Sequence, residues 1–489
     1  MRLARTPGLL PTHYIPGPPP LSTLSGITKM IEFRRDPIAF MVRIQKRYGN
    51  LVALAGTRKR VIAAFGAKYN EMLYADPERF QPRGFILKGP RDSAQRRLSE
   101  TLFAAKGSQD QSARGLLLAA FQSSNVGAFR DDLARILGRF QTDWQPGEKR
   151  DISVEMQKLC GAIAVKLLFG MDVNDEDNLL LAEIEGWLQM NSSAYVRMLR
   201  ANWLFTPYRR MLLRARHVER RILELLRVRS QANSAGHDVL SLLTHALENA
   251  STVPTEAQLV GQTLATLLFA FESTAHTMTW TLFLLAQHPS IQEAVLDELA
   301  LLRGEVPTVE QLDRLRYLDH VVTESMRILP AVVLSRRIAT EDAELAPYFI
   351  PRRTRIWFSH YVTQHMPELF PEPERFRPDR WQSTSTSAGI YPPFGAGPHY
   401  CVGADFARFI LKASLATLLP RWRFEVVPNA RIDRRVTITL SPKQGMPMIL
   451  ARQDRRFEAS SIRGNVREMV CLEAEPARIV SYPSGCRAA

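Results

Sequence analysis

The sequence lacks several features that would assign it to a protein class at once. Its 489 residues include only four cysteines, too few for the disulfide framework of a small secreted protein. It contains no apolar run of about 18 residues, and its N-terminus has no apolar stretch long enough for a signal peptide. No Gly/Ser-rich or charged linker divides the chain. These absences predict a reducing, cytoplasmic protein with one large domain and no integral membrane segment.

The charge is strongly positive but does not indicate a nucleic-acid-binding protein. The formal net charge of +15 permits binding to nucleic acid or to a membrane surface. The basic residues are mostly arginines scattered along the chain, often at helical spacing from Glu or Asp, as in residues 217–231. We therefore expect a dispersed basic surface and no nucleic-acid partner. The sequence still allows a basic patch that binds an acidic protein partner.

Hydrophobic periodicity predicts a mainly α-helical chain with a minor β portion. Apolar residues recur at spacings of three and four through most of residues 110–345. The segment at about 257–288 is apolar on nearly every side, so this long helix is expected to run through the middle of the protein. A short hairpin is predicted at 50–66, and short strands and Pro-rich loops follow Pro330, with a strand-like segment at 434–450.

The same pattern divides the chain into three parts. Residues 1–15 form an N-terminal arm, residues 16–452 carry the continuous pattern of one domain, and residues 453–489 are interpreted as an appended tail of unassigned role. Two of the four cysteines, Cys471 and Cys486, fall in this tail, where they are expected to be free thiols.

A glycine-rich stretch surrounds Cys401. Gly395, Gly397 and Gly403 flank this cysteine, and a helical pattern begins immediately afterwards. Glycines let a backbone lie close to a large group, and the N-terminus of a helix stabilises a thiolate. No second cysteine lies near, so a zinc or iron–sulfur site would lack its other ligands. These residues leave open a small buried cysteine, whereas a nucleophile paired with His399 is disfavoured because residues two apart do not face each other.

This stretch resembles the haem-ligating loop of the cytochrome P450 family. Its residues Phe394, Gly397, His399, Cys401 and Gly403 match that family's pattern of Phe, Gly, then Arg or His, Cys and Gly. By this resemblance Cys401 is the axial ligand of a haem iron. The resemblance implies haem b as the cofactor and O2 as the co-substrate.

Further motifs follow that family's order. Glu324 and Arg327 lie at positions i and i+3 on one face of a predicted helix. They precede "FPEPERFRPDRW" at 370–381, which resembles the family's Pro-Glu-Arg-Phe segment. The resemblance places Arg375 with Glu324 and Arg327 in a buried charge cluster that fixes the cysteine loop. It covers about residues 16–452.

The long apolar helix contains "AFESTAHT", which resembles the family's acid–alcohol segment. By that resemblance this helix lies on one face of the haem, with Ala270 as the small residue over it, and the cysteine-loop helix lies on the other. Glu272 and an alcohol would deliver protons there. Ser273 stands where the family mostly has Thr, and Thr274 follows; we favour Ser273. Either hydroxyl could instead bond to a carbonyl one turn earlier.

The two haem propionates require cationic partners, since buried carboxylates are costly without them. The resemblance assigns His399 to one propionate and Arg337 to the other, with Arg336 as the rival of Arg337. In the predicted helix at 107–121, Arg114 stands where the family has an arginine. Asp110 stands where the family usually has Trp or His, so that contact is expected to be missing or water-mediated.

Substrate-facing positions are suggested by the resemblance alone. They are apolar, as a hydrophobic pocket requires. They comprise Phe85, Ile86, Leu102, Phe103, Ala270, Val332, Val333 and the strand end from Ile438 to Leu440. The Met- and Trp-containing segment 187–205 is expected to form either a lid over the pocket or the packed face of two helices.

The resemblance implies a monomeric, bacterial-type monooxygenase that hydroxylates or epoxidises a small hydrophobic substrate of secondary metabolism. The chain has no flavin or iron–sulfur module, so a ferredoxin- or flavodoxin-type donor is expected to supply electrons. A basic docking surface is predicted after the cysteine, formed by Arg408, Lys412, Arg421 and Arg423.

Two alternatives keep the fold and change the function. The first is chemistry without oxygen insertion from O2, such as peroxide-driven hydroxylation, dehydration or radical coupling. The pair of Glu272 and Ser273 argues against a peroxide-driven enzyme, since such family members generally lack an acid–alcohol pair. The second is a haem sensor without catalysis, which requires a second axial protein ligand. His276, one turn beyond Glu272, is the nearest candidate.

Overall fold

The computed structural model describes most of the chain between residues 10 and 472. The described residues are 10, 14–18, 24–55, 61–82, 84, 86–100, 121, 129–172, 175–231, 238–239, 255–300, 302, 306–383 and 386–472. Phe85, Leu102, Phe103, Asp110, Arg114 and Cys486, for which predictions were made from the sequence, lie outside these residues.

Helices dominate the described part of the chain, as the hydrophobic periodicity predicts. They are α1 (Leu24–Arg35), α2 (Pro37–Tyr48), α3 (Ala67–Ala75), α4 (Ala94–Arg97), α5 (Arg130–Phe140), α6 (Ile152–Phe169), α7 (Asp175–Ser192), α8 (Ala194–Met198), α9 (Pro207–Gln231), α10 (Glu256–Ala286), α11 (Pro289–Leu299), α12 (Val309–Arg314), α13 (Arg316–Ile328), α14 (His360–Gln364) and α15 (Ala404–Leu418). Short 3₁₀ turns cover Pro378–Gln382, Gly397–His399 and Asn465–Glu468.

The β portion is small and lies mostly in the second half of the chain. Its strands are β1 (Leu51–Ala55), β2 (Val61–Ala64), β3 (Phe80–Pro82), β4 (Lys149–Asp151), β5 (Ser335–Ala339), β6 (Ala343–Leu345), β7 (Tyr348–Ile350), β8 (Arg355–Phe358), β9 (Trp422–Val426), β10 (Arg434–Val436), β11 (Leu440–Pro442) and β12 (Pro447–Arg452). One sheet has the order β1-β2-β8-β5-β3 and another the order β4-β12-β9. The predicted hairpin is present, because β1 and β2 pair antiparallel with Leu51 opposite Ala64.

Helix α10 is the central element of the fold. It begins with a capping box in which Thr255 and Gln258 bond reciprocally to each other's backbone N–H groups. It packs against α6, α9, α11, α13 and α15, so an apolar surface on all sides is what its position requires. No helix in the described ranges combines the length and hydropathy needed to cross a membrane.

The predicted boundary at residue 452 is not a boundary of the packed structure. The segment 453–472 contributes buried side chains to the core, at Ile462, Val466, Met469 and Val470. Arg434 Nη2 pairs with Asp36 Oδ2 at 2.6 Å and with Glu468 Oε2 at 2.7 Å, which ties this segment to the start of α2. Residues 453–472 therefore pack against the domain, and their role stays unassigned. Cys471 is disulfide-bonded, which also contradicts the prediction of a free thiol there.

Candidate functional site

The cysteine loop has a backbone that only glycine adopts easily. Gly395 and Gly397 have φ values of 75° and 65°. A Cβ on Gly397 would also lie 2.8 Å from the carbonyl oxygen of Tyr74, too close for any side chain. The loop then returns on itself, since the N–H of Cys401 donates to the carbonyl oxygen of Phe394 at 2.8 Å. These constraints hold Cys401 at the surface of the described structure, where it is exposed.

The residues around Cys401 suit a thiolate that faces a flat group. Helix α15 starts three residues later, and its N-cap, Gly403, offers no side-chain bond to the first N–H groups, which leaves them to favour a nearby anion. A Cβ on Gly403 would meet no heavy atom within 4 Å, so open space adjoins the loop. The other free cysteine, Cys160, is buried, and burial raises the pKa of its thiol. Of these two cysteines, Cys401 is the one exposed to a ligand.

A buried ion pair underlies this loop. Glu324 and Arg327, on α13, are both 0% exposed and form a bidentate pair with two N–O distances of 2.9 Å. Arg380 Nε donates to Glu324 Oε1, and the indole N–H of Trp381 donates to Glu324 Oε2, each at 2.9 Å. Glu324 and Arg327 thus form a fully buried ion pair on α13.

The predicted third member of this cluster is wrong. The guanidinium of Arg375 pairs with Glu372 at 3.1 Å, and each of these side chains is 36% exposed. Among the described residues, Arg375 contacts the cluster through its carbonyl oxygen, which accepts from Arg327 and Arg380. The sequence contains two Pro-acid-Arg-aromatic segments, at 373–376 and 378–381, and the second supplies the buried guanidinium.

The cluster reaches the cysteine loop through aromatic packing. The ring of Trp381 lies 4.7 Å from that of Tyr391, between ring centroids. The hydroxyl of Tyr391 donates to the carbonyl oxygen of Thr323 at 2.7 Å. Tyr391 directly precedes the Pro-Pro-Phe start of the loop, so the buried charges fix the point from which the loop departs. The guanidinium of Arg408, on helix α15 after the loop, lies over the ring of Phe394 near the start of the loop, at 5.4 Å from the ring centroid.

Arg337 is a buried cation in need of an anion. It is 8% exposed, and its Nε has no hydrogen-bond partner. Its contacts are the rings of Tyr74 and Phe358, and no carboxylate of the described residues pairs with it. Burial also lowers the pKa of the Arg337 guanidinium, because its charged form has lost contact with water. Because Tyr74 also lies against Gly397, Arg337 and the cysteine loop share a neighbour.

The other predicted propionate partners are placed less distinctively. His399 is half-buried at the end of the 3₁₀ turn Gly397–His399. The guanidinium of Arg336 lies over Trp357 at 5.6 Å from the ring centroid. Arg336 is also less buried than Arg337, which favours Arg337 of the two.

Helix α10 has one open stripe. From Val260 to Ala286 every described side chain is buried except those of Thr266, Phe269, Ala270 and Ser273. These four recur at spacings of three and four, so they share one helix face, which we call the open stripe. Phe269 is 49% exposed. The predicted haem-facing residues Ala270 and Ser273 thus lie on the face that is left partly uncovered between Val260 and Ala286.

Glu272 lies beside the open stripe and is itself buried. It is 6% exposed, and burial raises its pKa from 4.5 to about 7, although the Thr439 hydrogen bond opposes this change. Ser273 Oγ bonds back to the carbonyl oxygen of Phe269 at 3.2 Å. Thr274 is 4% exposed and therefore does not face the stripe. A carboxyl with such a pKa can both hold and release a proton near neutrality.

Sequence patterns did not predict the partners of Glu272. Thr439 lies in the turn between β10 and β11, and its Oγ1 donates to Glu272 Oε1 at 2.8 Å. Thr439 Oγ1 also lies 2.9 Å from His276 Nδ1. On the other side of the ring, His276 Nε2 lies 3.3 Å from Gln157 Nε2. His276 is 3% exposed with both ring nitrogens engaged. It therefore cannot serve as the second axial ligand that a haem sensor requires.

The suggested pocket residues fall into two groups. Val332 is 40% exposed, and Ile86 and Ile438 are half-buried. Val333 is 2% exposed and belongs to the core. The segments that carry Val332 and Ile438 are adjacent, because the N–H of Leu440 donates to the carbonyl oxygen of Ala331 at 2.8 Å.

The segment 187–205 is partly core and partly exposed. Trp187 is 0% exposed and donates its indole N–H to Gln95 Oε1 at 2.8 Å, as expected for a packed helix face. Six large apolar residues further along are at least 61% exposed: Tyr195, Met198, Leu199, Trp203, Leu204 and Phe205.

The predicted basic docking surface is weaker than the sequence indicates. Lys412 is buried and its Nζ lies 3.3 Å from Asp319. Arg423 pairs with Glu425 and with Asp454, and only 14% of its side chain is exposed. Their charges are thus largely satisfied within the chain.

Comparison with known proteins agrees with this geometry. A family model described as Cytochrome P450 matches residues 16–447. Cyclooctat-9-en-7-ol 5-monooxygenase of Streptomyces melanosporofaciens is 29% identical, over 81% of this chain and 87% of its own length. Cyclooctatin synthase of the same organism is 27% identical, over 84% of this chain and 91% of its own.

A solved structure shows the same fold. The structure titled "Retinoic acid bound cyanobacterial CYP120A1" superposes with a TM-score of 0.77 at 22% identity, covering 87% of this chain and 96% of that one. The predicted mainly helical architecture is therefore confirmed. Because the family model spans most of the chain, this protein belongs to the cytochrome P450 family and is an oxidoreductase of the monooxygenase type.

Proposed function

We propose that this P450 inserts one oxygen atom of O2 into a small hydrophobic molecule of secondary metabolism, by hydroxylation or epoxidation. Two relatives support this class, since their names refer to cyclooctat-9-en-7-ol and cyclooctatin in a Streptomyces species. The apolar side chains of Phe269 and Val332, which protein atoms leave partly uncovered, suit such a substrate. The electrons would come from a separate ferredoxin- or flavodoxin-type donor.

The chain's residues fit a haem b. Cys401 would hold the iron, and Arg337 and His399 would bind the propionates. The unpartnered Nε of Arg337 supports this assignment, because a buried guanidinium without a carboxylate is unfavourable until an anion reaches it. When bound, a thiolate-ligated haem supplies the activation of O2.

The remaining residues would bind, orient and protonate. Glu272 would hold a proton beside the open stripe, and Ser273, whose Oγ bonds to the Phe269 carbonyl, would release that bond to pass the proton on toward the stripe. Thr274 is buried away from the stripe, which supports Ser273 as the alcohol. A buried acid held ready in this way favours O2-dependent chemistry over a peroxide-driven reaction.

The observation that carries this proposal is the exposure of Cys401 at the uncapped start of α15. The test is a carbon monoxide difference spectrum of the reduced protein, with Cys401→Ala compared against Cys160→Ala. Both variants remove a free thiol, but only Cys401→Ala should abolish the thiolate-type band. A band that survived in Cys401→Ala would refute the ligand assignment.

A further inference from the structure

A buried chain of hydrogen bonds leads away from Glu272 to helix α6. Its members are Glu272, Thr439, His276 and Gln157, in that order. The first three are at most 6% exposed, and Gln157 is half-buried. The first three members therefore form a polar path through buried parts of the protein. The proposed oxygenation uses only its first member.

The donors and acceptors of this chain have one consistent direction. The amide nitrogen of Gln157 can only donate, so His276 Nε2 accepts and the ring proton lies on Nδ1. His276 Nδ1 then donates to Thr439 Oγ1, whose own proton goes to Glu272 Oε1. Every bond in the path thus points toward Glu272.

We infer that His276 and Thr439 return a proton to Glu272 from the α6 side after Glu272 has given one to the open stripe. They act through Glu272 and are positioning residues for it. The inference rests on the proposed function, since it requires that Glu272 releases protons in each turnover.

The transfer balances without a charged intermediate that must persist. When the Gln157 amide turns away from His276 Nε2, a proton from water forms an N–H bond at that nitrogen, and the Nδ1–H bond breaks as its proton moves to Thr439 Oγ1. The former hydroxyl proton of Thr439 forms an O–H bond at Glu272 Oε1. One proton enters the path, one is added to the carboxylate, and the imidazole remains neutral as its other tautomer.

Gln157 occupies the solvent end of this path. Val154, three residues earlier on the same face of α6, is 42% exposed. A primary amide has a donor and an acceptor, so after rotation its oxygen accepts from the Nε2–H tautomer. Gln157 therefore satisfies His276 before and after the transfer.

The charges around the path suit rapid transfer. Burial, with Arg435 as a second cause, lowers the pKa of His276 to about 4, so the imidazolium does not accumulate near neutrality. Burial raises the pKa of Glu272 to about 7; Glu185 raises it further, while Thr439 and Arg435 oppose the change. A proton that enters at His276 therefore passes downhill to Glu272.

Hydrogen–deuterium exchange of the Glu272 carboxyl tests the inference without measuring turnover. The haem-loaded protein at about pH 6, where Glu272 is mostly protonated, is mixed with D2O, and the infrared C=O band that Glu272→Gln lacks is followed in time. Thr439→Val should slow the exchange by about 100-fold, the lower range of what a positioned acid or base contributes. Thr439→Ser keeps the hydroxyl and should exchange at the wild-type rate.

Either of two results would overturn the inference: wild-type exchange in Thr439→Val, or equally slow exchange in Thr439→Val and Thr439→Ser. Gln157→Ala provides a milder variant that uncovers His276 Nε2 and should exchange as fast as wild type or faster; slower exchange would exclude entry at this end. Carbon monoxide spectra of the same samples report the haem thiolate separately. A failure of the proposed function is therefore distinguishable from a failure of the relay.

Discussion

Glu272→Gln should alter how stability depends on pH. Burial raises the pKa of Glu272 from 4.5 to about 7, which means that the native state binds this proton more tightly than the unfolded state does. Glu272 therefore costs no stability below about pH 4.5, and the cost grows until the pH passes about 7. Glutamine cannot ionise, yet it retains an oxygen that accepts the Thr439 hydrogen bond. The variant should gain stability over wild type as the pH rises.

The size of this gain follows from the pKa. The difference between 4.5 and about 7 corresponds to about 3 kcal/mol, since each unit is worth about 1.4 kcal/mol. His276 changes wild-type stability in the opposite direction, because its pKa is lowered from 6.5 to about 4 and stability rises with pH between these values. The relevant quantity is therefore the difference between variant and wild type at each pH, in which the contribution of His276 largely cancels.

Urea denaturation at about pH 5, near the start of the transition, and at about pH 8, beyond its end, measures that difference. The gain in the free energy of unfolding should be small at the lower pH and approach about 3 kcal/mol at the higher one. Thr439→Val is an internal control, since removing a hydrogen bond that lowers the pKa of Glu272 should move the transition to higher pH. The same difference at both pH values would show that Glu272 has an ordinary pKa, and the reasoning would fail.

Three further predictions concern the cofactor face. In urea denaturation, Arg380→Ala should lower the free energy of unfolding by about 3 kcal/mol, because it removes one partner of a buried carboxylate; Arg375→Ala should cost less than about 1 kcal/mol, and the reverse order would restore the original assignment. Gly397→Ala should cost about 2 kcal/mol or more, from its positive φ and its approach to a carbonyl oxygen; a neutral effect would mean that the loop relaxes. Arg337→Leu should lower the haem retained per chain after gel filtration while Arg336→Leu does not, and equal retention in both would remove Arg337 from the propionate site.

Local patterns predicted much of the fold and part of the site. The apolar segment at about 257–288 became α10 at Glu256–Ala286, because a helix surrounded by core must be apolar on every side. The pairing of Glu324 with Arg327 was predictable because residues three apart share a helix face.

The predictions that failed concerned contacts between segments that are distant in sequence. Two similar Pro-acid-Arg-aromatic segments compete for Glu324, and only packing against α13 selects Arg380. Thr439 lies 167 residues from Glu272 in sequence, and hydrophobic periodicity cannot predict a hydrogen bond between a turn and a central helix. The core residues Ile462, Val466, Met469 and Val470 do recur at helical spacing, but the segment forms only a short 3₁₀ turn at Asn465–Glu468. Its burial depends on contacts with distant residues such as Arg434, which spacing within the segment does not show.

The arginine at the start of β10 has a consequence for how the chain matures. Arg434 joins Asp36, which caps α2, to Glu468, near the last described residues. During synthesis, the beginning of the domain must therefore wait for nearly its whole length to leave the ribosome before this junction can form. A polypeptide released at residue 447, where the family match ends, would expose apolar core surface that residues 453–472 cover, and chaperones and proteases would act on it.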